Sequence, residues 1–301
     1  MQQTTLAETV VCCGLGLHSG KDVELTLRPA AADSGIRFVR GGGEGQSLDD
    51  AGILASPAAV RSTQRATTLG GGSGDEAEIA TVEHLLATFY ALDIHNVRIE
   101  VAGPEVPVTD GSAAPLLEWV RRAGRVSLAE RRREIEILSP VEILDGDRLI
   151  RIGPNAGGGG LRIDYAIDFP HPCIGFQSIG FEELNETVFE REIAGARTFG
   201  FANEVESLRA AGLAQGGSFE NTIVLDETSV LNPEPLRWPD EFVRHKVLDL
   251  VGDLALFGAT LHGHVEVVKG GHALHHALVC ALRDDASLWR VKPEGTSAPN
   301  A

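Results

Sequence analysis

The stretch Asp240–Leu256, DEFVRHKVLDLVGDLAL, decides how the rest of this chain is read. Val243, Val247, Leu250, Val251 and Leu254 recur at helical spacing and make one apolar stripe. Pro239 and Asp240 stand where a helix start signal belongs. His245, Asp249 and Asp253 fall at i, i+4 and i+8, so all three project from a single face. A histidine and a carboxylate one turn apart can close on one ion, the logic of an HExxH zinc helix with an oxygen ligand substituted. Alone, such a pair is usually a solvated contact. Its meaning depends on what the other segments bring.

Composition narrows the field. At 301 residues, 43% of them hydrophobic, the chain can build one large domain or two of ordinary size. No run of 18 apolar residues suggests a membrane span. The start MQQTTLAETV lacks the basic and apolar regions of a signal peptide, and adjacent Cys12 and Cys13 suit neither a common bridge nor a zinc knuckle. With Cys173 and Cys280 they read as buried free thiols of a cytoplasmic protein. A net charge of −17 speaks against nucleic acid and leaves any anionic substrate to a few local cations. Five of the ten histidines lie between His262 and His276, although most histidines in most proteins are surface or core residues.

Along the chain, Val23–Leu27 and Ile36–Val39 alternate as a hairpin would, with turn-rich RPAAADSG between them. Gly14–Gly20 has the glycine density of a tight turn, and Gly41–Gly45, Gly70–Gly74 and Gly157–Gly160 read as hairpin tips or surface loops. Glu78–Leu92 is expected to be a helix, on which neighbouring Glu83 and His84 point about 100° apart. His84 could then ligate an ion while Glu83 addresses a water on it. A strand follows at Asn96–Val101, a Pro/Gly-rich loop at Pro104–Pro115 and a short helix at Leu116–Ala123. The basic run Arg121–Arg133 reads as a solvated junction. Beyond it, strands are expected at Glu134–Leu144, Arg148–Gly153, Leu161–Phe169 and His264–Lys269, and helices at Glu241–Phe257 and His275–Arg283. Both halves therefore run strands, helix, strand, helix. The expectation is an α+β chain of two related domains, residues 1–128 and 129–301, with the site between them and a β-α-β insertion near 202–232.

Three segments carry the chemistry: Thr81-Val-Glu-His-Leu85, Arg244–Asp249 with Gly252-Asp253, and Lys269-Gly-Gly-His-Ala273. Two histidines and an aspartate would leave a tetrahedral zinc one open position. A carboxylate beside a ligand supplies a base. A further histidine, oriented by Asp253, supplies an acid for a leaving group. Together these describe metal-assisted hydrolysis.

At these residues the sequence resembles the UDP-3-O-acyl-N-acetylglucosamine deacetylases, zinc amidases of lipid A biosynthesis in Gram-negative bacteria. GLGLHSGK at Gly14, TVEHLLA at Thr81, PEVPVTDGSAAP at Pro104, IDFPHP at Ile167, ARTFGF at Ala196, GLAQGGSFENTIV at Gly212 and DEFVRHKVLDLVGDL at Asp240 carry the resemblance over nearly the whole chain. It implies that His84, His245 and Asp249 hold Zn2+, or Fe2+, which the same ligands suit. It implies Glu83 as general base, His272 as general acid with Asp253 orienting it, Thr198 as oxyanion donor and Lys246 as a nearby positive charge. Lys269 and Phe169 would hold the nucleotide end of a UDP-linked acylated amino sugar, and Phe199, Phe201 and Leu213 would line an acyl passage in the insertion. Gln64 and Arg65 depart from the family's pattern, in which apolar residues are common. A cytoplasmic monomer catalysing the committed N-deacetylation of the pathway is the expectation. A zinc amidohydrolase of another acylated sugar, and a non-catalytic lipid-sugar binder with a structural metal, are the competing readings. The Glu83 and His272 pair argues against the last, because a structural site uses neither base nor acid.

Overall fold

The computed structural model describes residues 1–41, 52–71 and 78–293. Its helices are α1 (Glu83–Ala91), α2 (Ala114–Ala123), the single turn α3 (Glu186–Val188), α4 (Val205–Ala210), α5 (Glu241–Ala255) and α6 (His272–Asp284). Mixed sheets pack against them, an α+β arrangement as expected. A five-stranded sheet runs Val10–Leu15, Asp22–Pro29, Val97–Ala102, Ile36–Arg40, Ile53–Leu54. A seven-stranded sheet is centred on Thr260–Val268, which pairs with Arg148–Gly153 along one edge. Along its other edge lie first Glu134–Ile137 and then Leu161–Phe169, both parallel to it. Among the described residues no helix is long and apolar enough to cross a membrane.

Helices α1 and α5 pack directly on one another at the heart of the molecule. Every residue of α1 except Tyr90, and every residue of α5 except Arg244 and Lys246, is buried. A helix covered on all sides needs apolar residues beyond one stripe, and Phe242 and Leu248 supply them. The close approach depends on Gly252, where a Cβ would lie 2.6 Å from the carbonyl carbon of Glu83 and 2.8 Å from its Cα. At its start, α5 is fastened by a buried ion pair. Glu241 accepts from Arg197 Nε at 2.8 Å and from the Arg197 backbone N–H at 3.1 Å. Cutting one partner of such a pair would strand the other charge in the interior.

Several expectations are corrected. Asp22–Pro29 and Ile36–Arg40 do not form a hairpin, because Val97–Ala102 lies between them. The real hairpin joins Val10–Leu15 to Asp22–Pro29 across a turn at residues 16–21, the expected tight turn less its first two residues, which are in the strand. The first helix begins at Glu83, not Glu78. Glu78–Ile79 is a short strand paired with Thr68–Gly70, and Thr81 in left-handed conformation (φ 58°) separates strand from helix. Glu134–Leu144 is two strands, broken before Pro140, whose missing N–H cannot continue a ladder. The basic run holds an exposed strand, Arg125–Arg131, paired with Gln2–Leu6. The last helix starts earlier than expected and includes His272 as its first residue. The glycine stretches Gly41–Gly45 and Gly70–Gly74 lie largely outside the described residues.

Candidate active site

His245 and Asp249 stand one turn apart on α5, and His84 faces them from α1. His84 Nε2 and His245 Nε2 each lie 3.5 Å from the same oxygen, Asp249 Oδ1. The two rings meet edge to face, centroids 5.1 Å apart. Ligand atoms ~2.0–2.2 Å from a tetrahedral ion stand roughly 3.3–3.6 Å apart, so these separations fit one small cation. The surroundings fit too. His245 Nδ1 lies 3.1 Å from the Ala196 carbonyl, which fixes that nitrogen as the donor and leaves Nε2 its lone pair. Burial pushes the His245 pKa down to about 3 against the pull of Asp249, so the ring is neutral. Burial would raise Asp249, but the Lys246 ammonium holds it well below the usual carboxylate range. Lys246 Nζ grips its other oxygen at 2.9 Å and lies over the Phe199 ring, 5.5 Å from the centroid.

One residue before His84, Glu83 turns to the other side of the cleft. Its Oε2 accepts the Thr67 N–H at 3.1 Å, and its Oε1 lies 3.9 Å from His272 Nε2. Burial raises the Glu83 pKa, with His272 and His84 opposing. Glu83, Asp249 and His272 each offer an atom within 4.8 Å of the others, so Glu83 and His272 adjoin the cluster of His84, His245 and Asp249. Behind His272 stands Asp253, one turn beyond Asp249 and without solvent exposure. Its Oδ2 lies 2.8 Å from both His272 Nδ1 and His275 Nδ1, and its Oδ1 accepts Thr67 Oγ1–H at 2.5 Å. Burial disfavours a charged His272, yet the Asp253 charge and hydrogen bond overcome it and push the pKa up to about 9. Asp253 itself is carried down to about 2, its two histidines outweighing burial.

Thr198 lines the same cleft, on the segment that also supplies the Ala196 carbonyl. Its backbone N–H donates to the Gly111 carbonyl at 2.8 Å. Gly111 is left-handed (φ 85°), and a Cβ there would lie 2.8 Å from the Asn221 carbonyl carbon. The TDGS turn and the ARTFGF segment are thereby locked together.

The cleft, about 160 Å³, is lined by Glu83, His84, Thr198, His245, Lys246, Asp249 and His272. It shares Leu17, His18, Arg65, Thr198, Phe199, Gly200 and Phe201 with a neighbouring cavity of about 390 Å³. That second cavity is lined by residues of the segment in which parallel strands Phe199–Phe201 and Ile223–Leu225 flank α4. Val205, Leu208, Phe219 and Val224 give it an apolar wall. Leu213 is half-buried but is not among the lining residues; Ala214 is. Phe169 reaches the cleft and packs edge-on against Phe199, centroids 5.6 Å apart. Lys269 stands outside the cleft lining, its Nζ 2.9 Å from Asp147 and 3.0 Å from Asp168.

Sequence reasoning missed Thr67, which touches both Glu83 and Asp253, and His275, whose Nε2 lies 3.1 Å from the Tyr165 hydroxyl. It also missed buried Glu105, which accepts from the His18 and Ser19 N–H groups and from Thr81 Oγ1. Only the clustering of histidines near His272 pointed toward any of them.

Comparison with known proteins agrees with this geometry. The family profile described as "LpxC: UDP-3-O-acyl N-acetylglycosamine deacetylase" matches residues 3–284. A UDP-3-O-acyl-N-acetylglucosamine deacetylase of Anaeromyxobacter sp. (strain Fw109-5) is 47% identical, over 96% of this chain and 91% of its own. The protein of the same name from Nitratidesulfovibrio vulgaris is 47% identical over 96% and 90%, and that from Phenylobacterium zucineum 45% over 97% of both. With a histidine pair and an aspartate converging beside a carboxylate and a histidine, and with matches along nearly its full length, this chain belongs to the UDP-3-O-acyl N-acetylglycosamine deacetylase (LpxC) family.

Proposed function

We propose that this chain hydrolyses the acetamide of UDP-3-O-acyl-N-acetylglucosamine, giving acetate and the free amine, the committed step of lipid A biosynthesis. The observation that carries the reading is the apposition of Glu83 and His272 at 3.9 Å, beside a three-residue ligand set, where a polar cleft opens into an apolar passage. We propose His84, His245 and Asp249 as the holders of Zn2+, with Fe2+ also suited to the set. When bound, the ion would supply Lewis acidity, polarising the acetyl carbonyl and making water acidic.

The protein's own groups do the rest. Glu83, its carboxylate steadied by the Thr67 N–H, takes a proton from the attacking water as the water oxygen bonds to the acetyl carbon. Thr198 lines the same cleft and would donate to the oxygen that gains charge. Lys246, held by Asp249, adds positive potential there. His272 carries a proton on the nitrogen facing the cleft and gives it to the sugar nitrogen as the carbon–nitrogen bond breaks. Asp253 stabilises the imidazolium before that transfer.

Phe169 would stack on the nucleotide end and Lys269 would meet its phosphates, exchanging Asp147 and Asp168 for a stronger anion. Phe199 and Phe201 would line the acyl passage at its neck. Two units meeting near residue 128 are part of this reading, supported by sheets that draw separately on residues 10–102 and 134–291. A cytoplasmic monomer is supported by four free thiols, of which, against expectation, only Cys12 is buried, and by one chain supplying every group named above. The test is acetate release from the UDP sugar by metal-loaded protein. Turnover should vanish in Glu83→Ala and His272→Ala while the metal stays. Faster turnover of a nucleotide-free acylated sugar would refute the substrate assignment.

A further inference from the structure

The neck between cleft and passage contains a charge that neither the metal chemistry nor an apolar passage needs. Arg65 lines both cavities. It sits in left-handed conformation (φ 65°) on the loop between Val60–Ser62 and Thr68–Gly70, two residues before Thr67. Since Thr67 is bonded to both Glu83 and Asp253, the loop tip is held in register with the acid and the base. From there the guanidinium reaches across to the insertion, where its Nη1 lies 3.0 Å from Glu204 Oε2. Both side chains keep solvent access, 49% for Arg65 and 36% for Glu204, so the pair is adjustable rather than rigid. Arginine's fork of N–H donors is only partly used by one such contact.

A second donor faces the same neck. His18 lines both cavities, and its Nε2 is buried with no hydrogen-bond partner among the described residues. Its Nδ1 accepts the Ala214 N–H at 3.4 Å, which puts the ring proton on Nε2. Two donors thus join Thr198 at a neck whose other shared lining, Leu17, Phe199, Gly200 and Phe201, offers no polar side chain. An O-acyl sugar has one polar group at that level, the ester itself: its sugar lies in the cleft and its hydrocarbon in the passage.

We propose that Arg65 is a specificity-determining residue that binds the acyl ester carbonyl at the neck, with Glu204 as its positioning residue. The guanidinium donates to the ester oxygen and so couples correct seating of the acyl chain to placement of the acetamide beside Glu83 and His272. This rests on the deacetylase reading above.

The experiment compares the UDP-linked 3-O-acyl substrate with its 3-O-alkyl ether analogue of equal chain length, which lacks the carbonyl, using full-length metal-loaded protein. The native protein should favour the ester by about 10-fold or more in kcat/KM, the size of one charge-assisted hydrogen bond. Arg65→Met should bring the ratio near unity, Arg65→Lys should restore part of it, and Glu204→Gln should raise KM for the ester with little change in kcat. Bound metal and Tm, measured for each variant, separate these effects from misfolding, and Glu204→Gln carries the test if Arg65→Met fails to fold. A native ratio near unity, or a ratio unaltered in both Arg65→Met and Glu204→Gln, overturns the assignment. Absence of acetate from both substrates would instead refute the deacetylase reading and this one with it.

Discussion

Replacing Gly252 by alanine tests whether the packing of two helices sets the catalytic geometry. In an ordinary buried helix, Gly→Ala would stabilise by ~1 kcal/mol through helix propensity. Here the added methyl would stand 2.6 Å from the Glu83 carbonyl carbon and 2.8 Å from its Cα, closer than real Cβ contacts come. Those atoms are backbone, so no rotamer change relieves them. The Glu83 carbonyl oxygen would be nearer still to the methyl, so α1 or α5 must move by about 1 Å to regain van der Waals distance. Overpacking of this kind costs ~1–3 kcal/mol, which leaves a net destabilisation of ~0–2 kcal/mol after the propensity gain. The functional effect should be larger than the stability effect. The displaced backbone carries Glu83 and His84, the proposed base and a proposed ligand, and misplacement by ~1 Å can cost ~10²-fold. Gly252→Ala should therefore lower kcat about 10- to 10²-fold and weaken metal retention under chelator competition, while circular dichroism stays native-like. A variant with raised Tm and kcat/KM within about twofold of native would refute the claim that this contact positions the site.

Single alanine substitutions of His84, His245 and Asp249 should each abolish stoichiometric metal, read by elemental analysis, with most of the fold retained because α1 and α5 keep their apolar packing. Full metal occupancy in all three would contradict the ligand assignment. In pH profiles of kcat/KM, the alkaline limb should reflect loss of the His272 proton, which Asp253 carries up to about 9 against burial. Asp253→Asn removes the largest opposition to burial, leaving only Asp249 and Glu83 against it, and should shift that limb to lower pH, whereas the acid limb, raised by burial of Glu83, should persist. An alkaline limb unmoved in Asp253→Asn would exclude His272 as its source. Lys269→Ala should raise KM for the UDP sugar about 10-fold, because it leaves Asp147 and Asp168 facing the phosphates unpaired, and the defect should shrink as salt rises. An unchanged KM at low salt would remove Lys269 from substrate binding.

What the sequence revealed tracks how local each feature is. The i, i+4 spacing of His245 and Asp249 forces their side chains together once the segment is helical, so their shared face, the proposed metal face, was readable without any tertiary knowledge. The same holds for Glu83 and His84, whose adjacency sends one to each side of the cleft. Strand pairing was less legible. Asp22–Pro29 could be seen as a strand, but nothing in RPAAADSG tells that Val97–Ala102 will intervene before Ile36–Arg40. Thr67 was illegible for a similar reason. Its hydroxyl matters because Asp253, 186 residues away, arrives beside it, and no spacing encodes that meeting. Lys269 shows the converse failure: its charge was visible, its commitment to Asp147 and Asp168 was not.

The two buried helices divide the chemistry by turns. On α5, Asp249 belongs to the proposed ligand set, and Asp253 one turn later holds the proposed acid, so a single helical face spans both proposed tasks at fixed separation. On α1 the division takes a single step along the chain, from Glu83 to His84. For the two pairs to meet, the backbone of Glu83 has to come against α5 between Asp249 and Asp253. Position 252 lies between them, and a glycine there is what the approach requires. Its poor helix propensity, a weakness in the isolated segment, follows from the site's geometry.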